Sequence, residues 1–489
     1  MKSKLSFLIA LLIAVCSAAS CGGTETDDAV TTAPDSSEVS SAEDTAVRDS
    51  LPDLDLEGRE FNILIREEVD YEFDTEQTGE LMDDVVFERN QNIGERFNLT
   101  INYIKKPGLW ASASEYQGLI SSAVLSGDSV YDIVTGQVNI VMPLAAQHYY
   151  IDASNLQYLD FTQPYWKAGY MDNVKINGQL YTLCGDFART ALSCSNVIFF
   201  NKTLFDEYQV EYPYELVKSG SWTVDKFLEI ATTINADLNG DSIIDVNDLH
   251  GFGGYNNSLN PFFYASGLSI TSVDPSTGRQ VVDFPNDKAI DLFDRFYQFV
   301  HSDSFFNTFD DLGGPSNTEE AGSVEFKNGK FAMFGMILEG VEYLRNMDVD
   351  FGIVPYPKYD EEQENYYTSI LRRFTAAAIP ITASDYEMSG LLLEALACEG
   401  YNNIVPAYYE IALKNKYARD ENTVEMLDII STSSWFSFAD AYYTDLGTMS
   451  DFFSSYVLGN SEGVASKFDA SRKNLEANLE KLYEAYENE

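Results

Sequence analysis

The sequence predicts an α/β fold, with mostly parallel sheets flanked by helices. Three observations carry this. Strand candidates alternate with helix candidates from Phe61 onward, and that order implies right-handed crossovers and a sheet covered on both faces. The 489 residues are 45% hydrophobic and 13% aromatic, enough for a large core. Beyond the N-terminus no run of 18 apolar residues occurs, and no repeat of 20 to 50 residues is visible, so a membrane-spanning body, a solenoid and a propeller are excluded. At about 150 residues per domain, the length suggests two or three folding units.

The elements follow in order. Phe61 to Ile65 is a short apolar strand, Met82 to Phe97 an amphipathic helix, and Leu99 to Ile104 a second strand. The helix Tyr116 to Leu125 leads to a third strand, Asp132 to Thr135. Open parallel sheets bind ligands beyond the carboxyl ends of their strands, which marks the loop Gly136 to Asn139 as part of a cleft. Lys175 to Tyr181 is a hairpin turning at Asn177-Gly178. Val197 to Phe200 is a fourth strand, with a helix from Thr203. Ser221-Trp222-Thr223 opens another helix whose apolar face is Phe227, Leu228 and Ile230. Long helices are expected at Asp287 to His301, Ser384 to Glu399 and Ser461 to Glu487.

Charge narrows the partners. With 31 Lys+Arg against 78 Asp+Glu the formal charge is -47, which excludes a nucleic-acid binder that tracks phosphates with clustered cations. Three His and five Cys leave little material for metal or nucleophile chemistry. No H-E-x-x-H or P-loop pattern occurs, and Gly251-Phe252-Gly253-Gly254 lacks dinucleotide spacing. A glycosidase needs only two carboxylates, so composition leaves a carbohydrate-active enzyme open as an alternative.

Residues 1–20 carry a basic head (Lys2, Lys4), an apolar run from Leu5 to Val15 and the small residues Ser17 to Ser20. This is the order of a secretory signal, too short for a membrane span of about 20 residues. Small residues directly before Cys21 resemble a bacterial lipoprotein signal, which implies acylation of Cys21 and a position on the outer face of the cytoplasmic membrane. Residues 21–56 continue with small, polar and acidic residues such as Asp27, Asp28, Glu43 and Asp44, the composition of a flexible tether.

An ordered series of motifs runs through the body: Val174 to Tyr181, Phe199 to Phe205, Ser221-Trp222-Thr223, Phe326 to Met333, Phe351 to Pro357 and Ala378-Ile379-Pro380. It resembles the extracellular solute-binding protein family 1 of ABC importers, which includes the maltose-binding proteins. The resemblance implies a two-lobed, type II periplasmic-binding-protein-like clamp whose chain crosses a hinge several times. Lobe one would hold 59–193 and 360–430, and lobe two 194–359 and 431–489. It also implies a non-catalytic, monomeric receptor that captures a carbohydrate for ABC permease subunits. A peptide or other polar solute, or a surface adhesion role, stands as the alternative.

Sugars offer C–H faces and hydroxyl rims, so a site needs flat aromatics and planar hydrogen-bonding groups. Trp110, in a loop with weaker structural constraints, is a better platform than Trp222, which reads as a staple at a helix start, while nothing in the sequence ranks Trp166 and Trp435. The resemblance implicates Asn260 and Phe262 on lobe two and Gln137 and Asn139 on lobe one. It also points to Glu339 beyond Ala332-Met333, and to Asp186 and Arg189 near the hinge. For each, a structural polar or core role is the competing reading.

Asp237, Asn239, Asp241, Asp245 and Asp248 occupy positions 1, 3, 5, 9 and 12 of a loop in which Ile243 supplies a backbone carbonyl. That is the oxygen spacing of an EF-hand, with Ser242 at position 6 and Asp in place of the final Glu, so structural Ca2+ is expected. The loop resembles one dockerin repeat, and a single repeat does not support cohesin binding. Of the body cysteines, Cys184 and Cys194 flank a reversing segment where a disulfide is conceivable, and Cys398 reads as a buried small residue.

Overall fold

The computed structural model describes residues 46–313, 318–344, 350–414, 421–459 and 463–487. The signal segment and Cys21 lie outside the described residues. The packed body begins at Asp49, earlier than the end of the expected tether at residue 56. The reason is local. Asp49 grips Arg96 through both oxygens, at 2.7 and 2.8 Å, Leu51 is buried, and the Leu56 N–H donates to the Phe97 carbonyl.

In chain order the strands are β1 (Arg59–Arg66), β2 (Leu99–Lys106), β3 (Ile133–Gln137), β4 (Asn196–Asn201), β5 (His250–Gly254), β6 (Thr271–Val273), β7 (Gln280–Val282), β8 (Phe305–Asn307), β9 (Phe331–Ile337), β10 (Phe351–Val354), β11 (Thr368–Ser369), β12 (Thr375–Ala378) and β13 (Ser434–Trp435). Two sheets organise two lobes. The first runs β12-β3-β1-β2 and the second β10-β4-β9-β5-β8. Their central strands β3, β4 and β9 are buried at every position, as expected of sheets covered on both faces.

The two sheets are mixed, with the larger share of their pairings parallel. β1 pairs in parallel with β2 and β3, and β5 with β8 and β9, but β12, β4 and β10 add antiparallel pairings. β12 runs against β3 because it enters lobe one from the other lobe rather than through a crossover helix of its own. The expected hairpin forms at Asn177-Gly178, both with positive φ, closed by the Ile176–Gln179 bridge.

Two segments pass between the lobes side by side. Ser195 bridges Ile370, and the Leu371 N–H donates to the Cys194 carbonyl at 2.8 Å. The lobe boundaries differ from the sequence expectation at two places. The helix Glu421–Thr432 packs on β10 of the second sheet, where Tyr214 meets Thr423, although a boundary at 430 placed it in lobe one. The helix Val464–Glu487 leans on both lobes, as β7 and the turn Met142–Gln147 both pack against it. Cys184, Cys194 and Cys398 are buried, and among the described residues the conceivable Cys184–Cys194 disulfide is absent. Burial pushes the Cys194 and Cys398 thiols up to about 12.

Candidate functional site

The crossing segment delivers Arg372 and Arg373 to the junction of the lobes. Arg372 makes a fork onto Asp451, Nη1 to Oδ1 at 3.0 Å and Nη2 to Oδ2 at 2.9 Å, and its Nη1 also reaches Asp440 Oδ1 at 3.3 Å. Its guanidinium lies over the Tyr443 ring at 4.0 Å, and the Tyr443 hydroxyl donates to Asp451 Oδ2 at 2.8 Å. From lobe two, Asn260 Nδ2 donates to Asp451 Oδ1 at 3.1 Å, while Asn260 Oδ1 accepts the Ser454 N–H at 3.0 Å. From lobe one, Trp110 meets Tyr443 edge-on with ring centroids 6.5 Å apart, leaving the indole 56% exposed. Beside them a recess is lined by Asn196, Asn257, Asn260, Tyr264, Arg372 and Asp440.

Arg373 points into a second polar group. Its Nη2 donates to Glu319 Oε2 at 3.1 Å and Glu339 Oε2 at 3.2 Å, and the Tyr255 hydroxyl donates to Glu319 Oε1 at 2.7 Å. Arg189 pairs with Glu342 at 3.5 Å and lies over the Tyr71 ring at 4.2 Å. Burial works against charge on Arg372 and Arg373, yet their carboxylates outweigh it and both stay firmly protonated. Burial pushes the Asp440 and Glu339 carboxyls above the usual range, against the pull of Arg372 and Arg373 respectively.

The structure thus brings Trp110 and Asn260 together through Tyr443 and Asp451, and sets Glu339 on Arg373. Gln137 and Asn139 are buried where β3 runs into the turn Val138–Val141, which packs against the helix Phe438–Ala441 that carries Asp440. Among the described residues Asn139 Oδ1 has no hydrogen-bond partner. Two residues belong elsewhere. Phe262 is fully buried among Phe227, Phe252, Phe296 and Tyr356, so it presents no face to a ligand. Asp186 forms an internal pair with Lys167 at 2.8 Å, both side chains under 10% exposed. Trp222 is also wholly buried, its Nε1 donating to the Pro355 carbonyl.

Sequence reasoning missed Arg372, Tyr443 and Asp451. One signal existed: Arg372-Arg373 is the only Arg-Arg pair of this acidic chain, and it directly precedes the strand Thr375–Ala378. Tyr443 and Asp451 carry no comparable mark among 31 Tyr and 78 acidic residues.

In the loop 237–248, Asp237 accepts the Gly240 and Ser242 N–H groups, Asn239 that of Asp241, Asp241 that of Ile243, and Asp245 that of Asn247. Asp248 turns one oxygen to the Leu238 N–H and the other to the Asp245 N–H. Among the described residues no group of three or more His, Cys, Asp or Glu is gathered closely enough to hold a metal ion, this loop included.

Two sheets joined by paired crossing segments, with a polar and aromatic group at the junction, define a two-lobed α/β fold. No protein-family model matches the sequence, and no curated protein matches it. Solved structures share the fold. A sugar transporter from Rhizobium etli in an open conformation superposes with a TM-score of 0.56 at 16% identity, over 86% of this chain and 99% of that one. An ABC substrate-binding protein from Listeria monocytogenes in complex with cycloalternan gives 0.51 at 13% identity, over 88% and 100%. The maltose/maltodextrin-binding domain from Bdellovibrio bacteriovorus bound to maltotriose gives 0.50 at 15%, over 86% and 99%.

Proposed function

We propose that this chain is the ligand-capturing component of an ABC importer, binding a carbohydrate between its lobes. The observation that carries the reading is the exposed indole of Trp110 on lobe one, meeting Tyr443 above the Arg372–Asp451 fork. An open aromatic face takes the C–H side of a sugar ring, and planar groups held by one another present fixed hydrogen-bonding directions to its hydroxyls. The sugar transporter and the two glycan complexes among the solved neighbours support the same class. A ligand touching Trp110 and the groups around Asp451 contacts both lobes, so it stabilises the shut arrangement and is released unaltered to a permease.

The lipid anchor at Cys21 and the calcium loop belong to this proposal as well. The first is supported by the small residues before Cys21, the second by the donor spacing of residues 237–248. Among the described residues no helix is long and apolar enough to cross a membrane. Calorimetry against a panel of mono- and oligosaccharides, with chromatography of the recovered sugar, tests the central reading. Saturable heat with intact sugar is expected; release of smaller sugars would make the protein an enzyme, and absence of any binding would remove the carbohydrate reading.

A further inference from the structure

Among the described residues at the junction of the lobes, Arg372 and Arg373 face four carboxylates, with Arg189 and Glu342 as a further pair beside them. Arg372 serves Asp440 and Asp451, and Arg373 serves Glu319 and Glu339. All six are partly or largely shielded, with side-chain exposures from 9 to 36%. The local surplus is negative, and it sits in a chain of formal charge -47, whose field repels anions at long range.

That arrangement constrains what can enter. A ligand carboxylate, phosphate or sulfate competes with Asp451 for the Arg372 fork and with Glu319 and Glu339 for Arg373 Nη2, and any carboxylate it displaces is stranded without its cation in a half-buried place. Hydroxyls and ammonium groups meet no such obstacle. Carboxylates only accept, so the lone pairs of Asp451, Glu319 and Glu339 left over from the guanidiniums call for donors, and O–H to carboxylate bonds are among the stronger hydrogen bonds. A second feature also calls for a donor: among the described residues the Oδ1 of Asn139, a residue 8% exposed on the turn that packs against the helix of Asp440, accepts no hydrogen bond.

We infer that the site takes uncharged or amino-bearing polyhydroxylated rings and refuses acidic ones. The inference rests on the carbohydrate reading above and names its substrate class. The test is calorimetry of the full chain with maltotriose, cellotriose, a glucosamine trimer and trigalacturonate, repeated on Asp451→Asn and Glu339→Gln. The expected result is that at least one neutral or amino trimer binds about tenfold or more tightly than trigalacturonate, and that one or both variants narrow the gap. Should Asp451→Asn fail to fold, Glu339→Gln carries the comparison alone. Trigalacturonate binding as tightly as the best neutral or amino trimer would overturn the inference and leave the carbohydrate reading standing. Failure of every glycan to bind would overturn both.

Discussion

Trp110 and Tyr443 meet edge-on, rings inclined at 78°, although Trp110 opens a short turn of the first lobe and Tyr443 lies on the segment between the helix Phe438–Ala441 and the helix Phe452–Val457 that docks on the second. An indole that is more than half exposed contributes little to folding, so its removal separates binding from stability. Trp110→Ala should weaken glycan binding about tenfold or more, roughly 1.4 kcal/mol or more, while the melting temperature stays within about a degree or two. Titration calorimetry beside differential scanning calorimetry checks both halves; unchanged affinity would remove Trp110 from the site.

Arg372 is held by two acids and in turn holds them. Replacing it with Met leaves Asp440 and Asp451 facing each other without a cation, which should cost about 3 kcal/mol near neutral pH. The pH dependence has a definite sign. Burial already sets the Asp440 carboxyl above its ordinary value, and loss of Arg372 raises it further. A carboxyl whose folded value is raised binds its proton more tightly in the folded chain than in the unfolded one. Its contribution is therefore full at low pH and is lost as pH rises through the folded value. The stability deficit of Arg372→Met should accordingly shrink between about pH 8 and about pH 5. Urea unfolding at both values measures it; a deficit that grows on acidification would contradict the assignment of these charges.

Most of the architecture was legible because it rests on long-range patterns that few alternatives satisfy. The apolar runs at Ile63, Val134 and Val197 became buried strands, and Asn177-Gly178 became the hairpin turn. The site was only partly legible. Trp110 stood out because its loop gave the indole nothing to pack against, whereas Phe262 looked like a platform only by its place in the chain. Its apolar surface went instead to a five-ring core, where burial contributes more than exposure could. Tyr443 and Asp451 were invisible because they acquire meaning only from Arg372, some 70 to 80 residues earlier in sequence. Gradual errors at lobe boundaries have the same origin: the helix Glu421–Thr432 is placed by Tyr214 and Lys218, which belong to distant sequence.

The loop 237–248 has the spacing for calcium, while its carboxylates accept N–H groups of the same loop. Bound calcium should raise the melting temperature relative to chelator by recruiting Asp237, Asn239, Asp241 and Asp245, with the Ile243 carbonyl and Asp248 completing the set. Asp241→Ala should abolish the difference. Identical wild-type melts in calcium and in chelator would reject the site and leave the loop as a chain of Asx turns.

The C-terminal helix ties the lobes together at a distance from the crossing segments. Its early residue Phe468 packs on Phe284 at 4.4 Å, and the Tyr483 hydroxyl accepts the Gln280 N–H at 2.6 Å, both on the second lobe. Its last turn puts Tyr486 against Tyr181 at 5.2 Å and His148 at 6.4 Å, both on the first. At about 1.5 Å per residue, the 24 residues span about 36 Å, long enough for one rigid rod to serve both lobes. Tyr486 is only 4% exposed, so Tyr486→Ala removes a buried aromatic and should cost about 3 kcal/mol, against less than about 0.5 kcal/mol for Tyr343→Ala at an exposed position. Denaturant titration of the two variants checks the contrast. Equal and negligible losses would mean that the last turn of the helix does not hold the first lobe.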